Sequence, residues 1–379
     1  MTKSSQVCYL TFDSLSEGVG QSQIVPLVMG LAKTGCRVKV ISFEKRNNPE
    51  LASELLDAGI DWISLPFGKP GIRGIPKRIF LMAINVPKAD VYHCRSDLPV
   101  LVMALRRKRP FLWDVRSLWY EQKLIIDNKS KSSFIAFVLK KLEFYAAKNA
   151  SAVNVLAEPL LEVLEERNGV IPTIRTVIPT SVDLEKFKLQ DSFQDQRMIL
   201  LSGTLNNFYD IDTSIKILKE FYNQGFSIQW ARGHESKRHV LGESFIRTLV
   251  LSHKEMPKKI AASSFGIAIC RTDCVDVLKG VMPTKVAEFL AMGRPVIVSR
   301  GMGDLDNLIT QSRTGIVIKS GMSEKEIVSR SKELLLDSGL SQRCRKLAES
   351  HFSMAQAILK YKVVYEEIMK AKYHVAGPY

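Results

Sequence analysis

The chain has 379 residues, of which 46% are hydrophobic and 25% charged. At roughly 150 residues per domain that is too long for one ordinary core, so two domains are expected, and the composition excludes a disordered, collagen-like or coiled-coil chain. A formal net charge of +15 calls for an anionic partner or a purely solubilising role.

In chain order, Met1 to Asp13 passes quickly into a strand-like run, without the apolar core of about 7–15 residues that a signal peptide needs. Apolar runs such as Phe134 to Leu139 fall far short of the ~20 residues that span a bilayer. Secretion and a transmembrane helix are therefore not expected. The first strand, Val7 to Phe12, is followed by a turn with Gly18 and Gly20, a helix from about Gln21 to Lys33, and a second strand, Val38 to Phe43. This is a βαβ unit. Gln21 and Gln23 read as ordinary helix-start residues. Further strands are expected at Trp62 to Pro66, Asp90 to His93, Phe111 to Val115, Ala152 to Leu156 and Thr173 to Ile178, with helices between them. Strands alternating with helices argue a parallel sheet covered on both faces.

Residues 101–150 hold eleven Lys/Arg against four Asp/Glu. Within them, Lys129 to Tyr145 and the alanine after it form a basic, amphipathic segment, with apolar positions at Ile135, Leu139, Leu142 and Ala146 widened by Phe134, Phe137, Val138 and Phe144. It either packs on the sheet or rests on an anionic membrane surface. The polar stretch from Leu189 to Gln196 reads as a linker. A second set of strands then starts afresh: Met198 to Leu201, Ser227 to Ala231, Phe265 to Cys270, Pro295 to Val298 and Gly315 to Ile318. Two open α/β halves leave a cleft between them, and ligands of such sheets bind beyond the carboxyl ends of the strands. The six cysteines are scattered, with no C-x-x-C pair and no zinc spacing, which reads as buried free thiols. No zinc, helix-turn-helix or aromatic-basic motif points to nucleic acid.

The most informative stretch runs from Arg271 to Val298 and reads as strand end, loop, helix, turn and strand. Pro283 and Thr284 sit where a helix should start, Gly293 marks its end, and Pro295 opens the next strand. A helix start at a strand's carboxyl end presents free N–H groups and a partial positive charge, which suits a diphosphate. Lys285 adds a full cation. Glu288, one turn on, can accept hydrogen bonds from both ribose hydroxyls of a nucleotide or can be a solvated helix residue.

The run P-T-K-V-A-E-F-L-A-M-G-R-P-V-I (Pro283 to Ile297) resembles the donor-site helix of GT-B glycosyltransferases, particularly glycosyltransferase family 4. Val177 to Phe187 is similar to that family's interdomain segment, Leu200 to Thr204 to its first C-terminal strand and turn with Gly203, Gly301 to Asp304 to one of its loops, and Gly18 to Gln23 to its glycine-rich first loop. The resemblance implies an α/β fold of two Rossmann-like domains facing across a cleft. They are an N-terminal acceptor domain over 1–185, a C-terminal donor domain over 196–353, and a last helix, about 354–379, crossing back. It implies a retaining, metal-independent hexosyltransferase with no cofactor, the nucleotide diphosphate sugar being a substrate. The acceptor is expected to be a glycan or glycolipid of bacterial surface polysaccharide synthesis, reached in the cytoplasm, with the enzyme peripheral on the inner membrane face.

Glu288, Lys285, Thr284, Arg271, Gly203, Gly18 and Gly20 are then the donor-binding candidates. His93, Asp114 and Arg116, at the ends of two strands expected to face the cleft, are the catalytic ones, although Asp114 and Arg116 equally suit a structural ion pair. Two departures stand out. Many family members carry a second glutamate eight positions before Glu288, where this chain has Gly280. Their basic pair would fall near Thr204 and Tyr209, neither of them cationic, so the diphosphate is assigned to Lys285 first and Arg271 second, with Arg232 a further candidate. A nucleotide-sugar 2-epimerase of the same fold and a non-catalytic nucleotide-sugar-binding relative are the competing readings.

Overall fold

The computed structural model describes residues 5–107, 110–128, 133–189, 197–233 and 242–375. The polar linker beyond Leu189 lies outside them, as do Lys108, Arg109, Lys129 and Lys131 of the basic region.

The N-terminal half alternates β1 (Gln6–Leu10), α1 (Val25–Lys33), β2 (Arg37–Glu44), α2 (Pro49–Asp57), β3 (Asp61–Pro66), α3 (Ile75–Asn85), β4 (Val91–Arg95), α4 (Asp97–Arg106) and β5 (Phe111–Val115), then α5 (Trp119–Asp127), α6 (Ser133–Asn149), β6 (Ala152–Val155), α7 (Glu158–Asn168) and β7 (Ile174–Val177). Its seven strands lie in the order β3-β2-β1-β4-β5-β6-β7, and every pairing is parallel. Central strands such as Phe111–Val115 are buried at every position, as a sheet covered on both faces requires.

The C-terminal half repeats the design with β8 (Met198–Ser202), α8 (Ile211–Asn223), β9 (Ser227–Arg232), β10 (Ile246–Val250), α9 (Met256–Ala261), β11 (Phe265–Ala268), α10 (Val275–Lys279), α11 (Thr284–Ala291), β12 (Val296–Ser299), α12 (Leu305–Ser312) and β13 (Gly315–Ile318), followed by α13 (Glu324–Leu335) and α14 (Leu340–His351). The strand order is β10-β9-β8-β11-β12-β13, again all parallel. Sequence reading missed β10. Only Ile246 is buried in it, so this edge strand lacks the continuous apolar run that marks the inner ones. Local chemistry sets the helix starts elsewhere: Asp210 caps α8 at Thr213 N (3.0 Å) and Ser323 caps α13 at Glu326 N (3.2 Å), each contributing about 1 kcal/mol.

The last helix, α15 (Met354–Val375), returns to the first domain. Its Tyr361, Val364, Tyr365 and Ile368 join one buried cluster with residues of α1, β1, β2 and β4. In each sheet the connections reverse direction beside one central strand: between β1 and β4 in the first, and between β8 and β11 in the second. At such switch points the loops splay and leave a crevice at the carboxyl edge.

Candidate active site

At the C-terminal switch point, β8 is followed by Gly203, whose φ of +85° turns the chain sharply, and Trp230 Nε1 donates to its carbonyl at 2.9 Å. The Lys285 side chain lies over this turn, 3.9 Å from where a Cβ on Gly203 would sit, with its ammonium 4.3 Å from the centroid of the Tyr209 ring. Thus Tyr209, which stands where a cation was missed in the sequence, holds one from α11 by its π face. Helix α11 begins after an extended Pro283, and Gly293 (φ +74°) follows its end. No side chain caps its first turn. Thr284, expected as a cap, instead has its hydroxyl engaged by Gln23 Nε2 of the other domain. Positively polarised amides, Lys285 and the Gly203 turn therefore meet at one carboxyl edge.

Glu288 is only 7% exposed, which removes the solvated-helix reading. Its Oε1 is 3.1 Å from His253 Nε2, and Lys186 Nζ is 2.7 Å from His253 Nδ1. An ammonium can only donate, so Nδ1 accepts and Nε2 carries the proton given to Glu288. The carboxylate is thereby oriented with its second oxygen left to accept. Sequence reading did not find Lys186 or His253, because they lie 102 and 35 positions from Glu288 along the chain. Arg271 is engaged by Asp273, and Arg232 lies over the Trp230 ring, 5.9 Å from its centroid.

Across the cleft, the loop after β1 is fixed by buried Glu44, which accepts from Leu15 N (2.7 Å), Ser16 N (3.3 Å) and the hydroxyls of Ser14 and Ser42. A Cβ on Gly20 would fall on the Ser14 carbonyl oxygen, and Gly18 has a φ of +45° with open space around it. Gly20 thus serves close backbone packing, while Gly18 supplies the turn. A π-helical turn, Gly20–Ile24, follows and aims Gln23 into the cleft. Gln23 Oε1 accepts from Arg95 Nη2 (3.0 Å) and Arg116 Nη2 (3.1 Å), while its amide reaches Thr284. Read from the sequence as a plain helix-start residue, Gln23 joins both guanidinium groups to the donor helix.

His93 and Asp114 were expected to face the cleft. The structure corrects this: both are 0% exposed, on the sheet face that α15 covers. His93 Nδ1 lies 2.7 Å from Tyr365 Oη and Nε2 lies 3.1 Å from Asp114 Oδ2. Asn154 Nδ2 donates to Asp114 Oδ1 at 2.7 Å, and Arg116 Nη1 approaches it at 3.5 Å. Burial drives the His93 imidazole below its ordinary range, Asp114 pulling the other way. Burial alone would raise Asp114, but Arg116, His93 and Arg95 outweigh it and hold the carboxyl well below the usual range. Of the three, only Arg116, at the strand's carboxyl end, reaches the cleft; Asp114 positions it.

Gly280 packs under the first domain: a Cβ there would lie 2.8 Å from Leu160 Cδ2 of α7. A longer side chain would have to displace that contact. Nearby, Asp304 Oδ2 accepts from Glu158 N at 3.1 Å, and Asn207 Nδ2 donates to Ile126 O at 3.1 Å, so the two domains touch beside the cleft. Among the described residues no three His, Cys, Asp or Glu side chains converge as a metal site. The cysteines are unpaired, and burial pushes Cys8 and Cys270 up to about 12.

Two doubly wound parallel domains gather polarised amides and cations where their carboxyl edges meet, an arrangement suited to an anionic ligand. Residues 21–186 match the family model described as Glycosyltransferase Family 4. No curated protein sequence matches the chain. Among solved structures, sucrose-phosphate synthase from Thermosynechococcus elongatus is 16% identical with a TM-score of 0.70, the match covering 97% of this chain and 100% of that one. Anabaena HepE in complex with UDP-glucose is 12% identical with a TM-score of 0.66 (96% and 99% covered), and WaaG, involved in lipopolysaccharide biosynthesis, is 14% identical with a TM-score of 0.63 (92% and 97%). The chain therefore has the two-domain GT-B fold of these structures, and its residues 21–186 are similar to Glycosyltransferase Family 4.

Proposed function

We propose that this chain is a retaining, metal-independent glycosyltransferase that moves a sugar from a nucleotide diphosphate sugar to a lipid-linked or polysaccharide acceptor in bacterial surface glycan synthesis. The observation that carries the reading is the meeting of Lys285, the uncapped start of α11 and the Gly203 turn, opposite Arg116 and Gln23. As the bond from the anomeric carbon to the β-phosphate oxygen breaks, negative charge develops on the leaving diphosphate. Fixed N–H donors and one ammonium at that edge stabilise it without reorganisation. Glu288, oriented by His253, accepts from the ribose hydroxyls, and Arg116 approaches the transferred sugar. HepE, of the same fold, was solved with UDP-glucose, which supports a nucleotide-sugar donor.

The acceptor and the membrane are reached through the basic region. Phe80 (62% exposed) on α3, Leu105 (61%) on α4, and Phe134 (76%) and Phe137 (60%) on α6 leave apolar rings and chains in water on neighbouring helices, beside Lys140 and Lys141. Such a face suits an anionic bilayer surface, each nearby Lys or Arg adding about 1 kcal/mol. No helix among the described residues is long and apolar enough to cross a membrane, and the enzyme works from the cytoplasm, peripheral on the inner membrane face.

The test is thermal stabilisation and slow hydrolysis of UDP-, GDP-, ADP- and dTDP-sugars by the wild type and by Glu288→Ala. One nucleotide class is expected to stabilise the wild type and to be hydrolysed, with both effects lost in the variant. A folded wild-type protein that binds none of them would overturn this reading, and one that binds a nucleotide sugar without ever turning it over would favour the non-catalytic relative.

A further inference from the structure

A cavity of about 210 Å3 lies in the N-terminal domain on the sheet face away from α15, between β5, α5, α6 and α7. At ~30 Å3 per water it has room for about seven waters. Its floor is apolar, from Trp113, Val115 and Leu164, and Trp119 and Phe137 stand at its sides. Its polar groups are arranged in a chain. Arg167 binds Glu121 Oε1 (2.8 Å) and both oxygens of Glu143 (3.1 Å each), and Trp113 Nε1 donates to Asp97 Oδ1 at 3.1 Å. Among the described residues this leaves the second oxygens of Glu121 and Asp97 without a hydrogen bond. None of these groups belongs to the donor cleft.

We infer that this cavity is a carbohydrate-binding pocket that seats one neutral sugar ring of the acceptor, stacked on Trp119 and hydrogen-bonded through its hydroxyls to Glu121 and Asp97. The chemistry selects this ligand over others. Glu121 and Glu143 stand against Arg167 and Lys140, so the wall has no excess of positive charge to hold phosphate, and its charged groups reject a lipid tail. Aromatic faces beside open acceptor oxygens match the apolar faces and equatorial hydroxyls of a pyranose. Burial pushes Asp97 up to about 7, so that near neutral pH this carboxyl both donates and accepts, as hydroxyl partners require. The placement fits as well. The pocket wall begins at Ser117, next to cleft-facing Arg116, and its rim includes Phe137 and Lys140 on the exposed face of α6. A glycan anchored in a bilayer under α6 would pass through it to the cleft. The inference rests on the transferase reading for its acceptor but on the cavity alone for its ligand class.

The experiment is saturation-transfer NMR on the full-length protein with methyl glucoside, methyl galactoside and methyl N-acetylglucosaminide, inorganic phosphate serving as competitor, in the wild type, Trp119→Ala and Glu121→Gln. At least one glycoside is expected to bind, about tenfold more weakly in Trp119→Ala and severalfold more weakly in Glu121→Gln, with phosphate unable to displace it. Hydrolysis of the nucleotide sugar without acceptor should stay at the wild-type rate in both variants. Saturation transfer to none of the glycosides, equal binding by all three proteins, or displacement by phosphate overturns the inference. Glycoside binding in a protein that binds no nucleotide sugar would sink the transferase reading and leave the pocket standing.

Discussion

Replacing Asp114 by alanine removes the acceptor at the centre of the polar cluster under α15. His93 Nε2 (3.1 Å) loses its partner, while Asn154 Nδ2 (2.7 Å) and Arg116 Nη1 (3.5 Å) lose the carboxylate and keep only Tyr361 Oη, at 3.1 and 3.4 Å. His93 and Asn154 are completely buried and Arg116 is 12% exposed, so water does not replace the carboxylate. Each orphaned buried donor costs about 1–3 kcal/mol, and stripping one member from a buried charged pair costs about 3–5 kcal/mol. These penalties overlap, and the expected loss is about 3–5 kcal/mol, a large share of the ~5–15 kcal/mol that holds a domain together. Urea unfolding followed by circular dichroism reads it as a lower midpoint. The pH dependence carries the same signature. A carboxyl held below its ordinary value contributes stability that is present above about pH 4 and lost as pH falls toward its folded value. The wild type should therefore lose stability on acidification, and Asp114→Asn should flatten that limb. An Asp114→Ala protein as stable as the wild type but devoid of donor hydrolysis would refute the reasoning and make Asp114 a reacting group.

Gln23→Ala should cut kcat/KM for the donor by about tenfold or more, the loss of a hydrogen bond to charged partners, and should enlarge the particle in X-ray scattering as the Thr284 contact opens; unchanged values in both would remove its bridging role. Gly20→Ala forces a Cβ onto the Ser14 carbonyl. Unfolding titration should then register a loss of about 1–3 kcal/mol, and a variant of full stability would show that the loop shifts freely. Replacing Phe134 and Phe137 together by glutamate should leave folding intact, since both are exposed, and reduce co-sedimentation with phosphatidylglycerol vesicles more than tenfold. Sedimentation equal to wild type would exclude α6 as the docking face.

The site was legible in part, and the dividing line is physical. Pro283, Thr284 and Gly293 bracket α11 because caps and turns act over a few residues, so the donor helix and Lys285 could be placed from the chain alone. Lys285 finds Tyr209, however, 76 positions upstream, and Glu288 finds His253 and Lys186; no local pattern encodes those partners. The two polar strand residues His93 and Asp114 misled because a polar side chain inside an apolar strand has the same sequence signature whether it faces a cleft or a covering helix.

Alternating apolar runs and helical periodicities determined by themselves that the chain forms two parallel α/β halves, for burial on both faces of a sheet leaves its mark at every strand position. Only the tertiary structure decided which edge of those sheets becomes a site. It turned α15 over His93 and Asp114, seated Leu160 against Gly280, and brought Gln23 to Thr284 across 261 positions. Contacts of that span depend on how finished elements pack, and packing is not written in the periodicity of either partner.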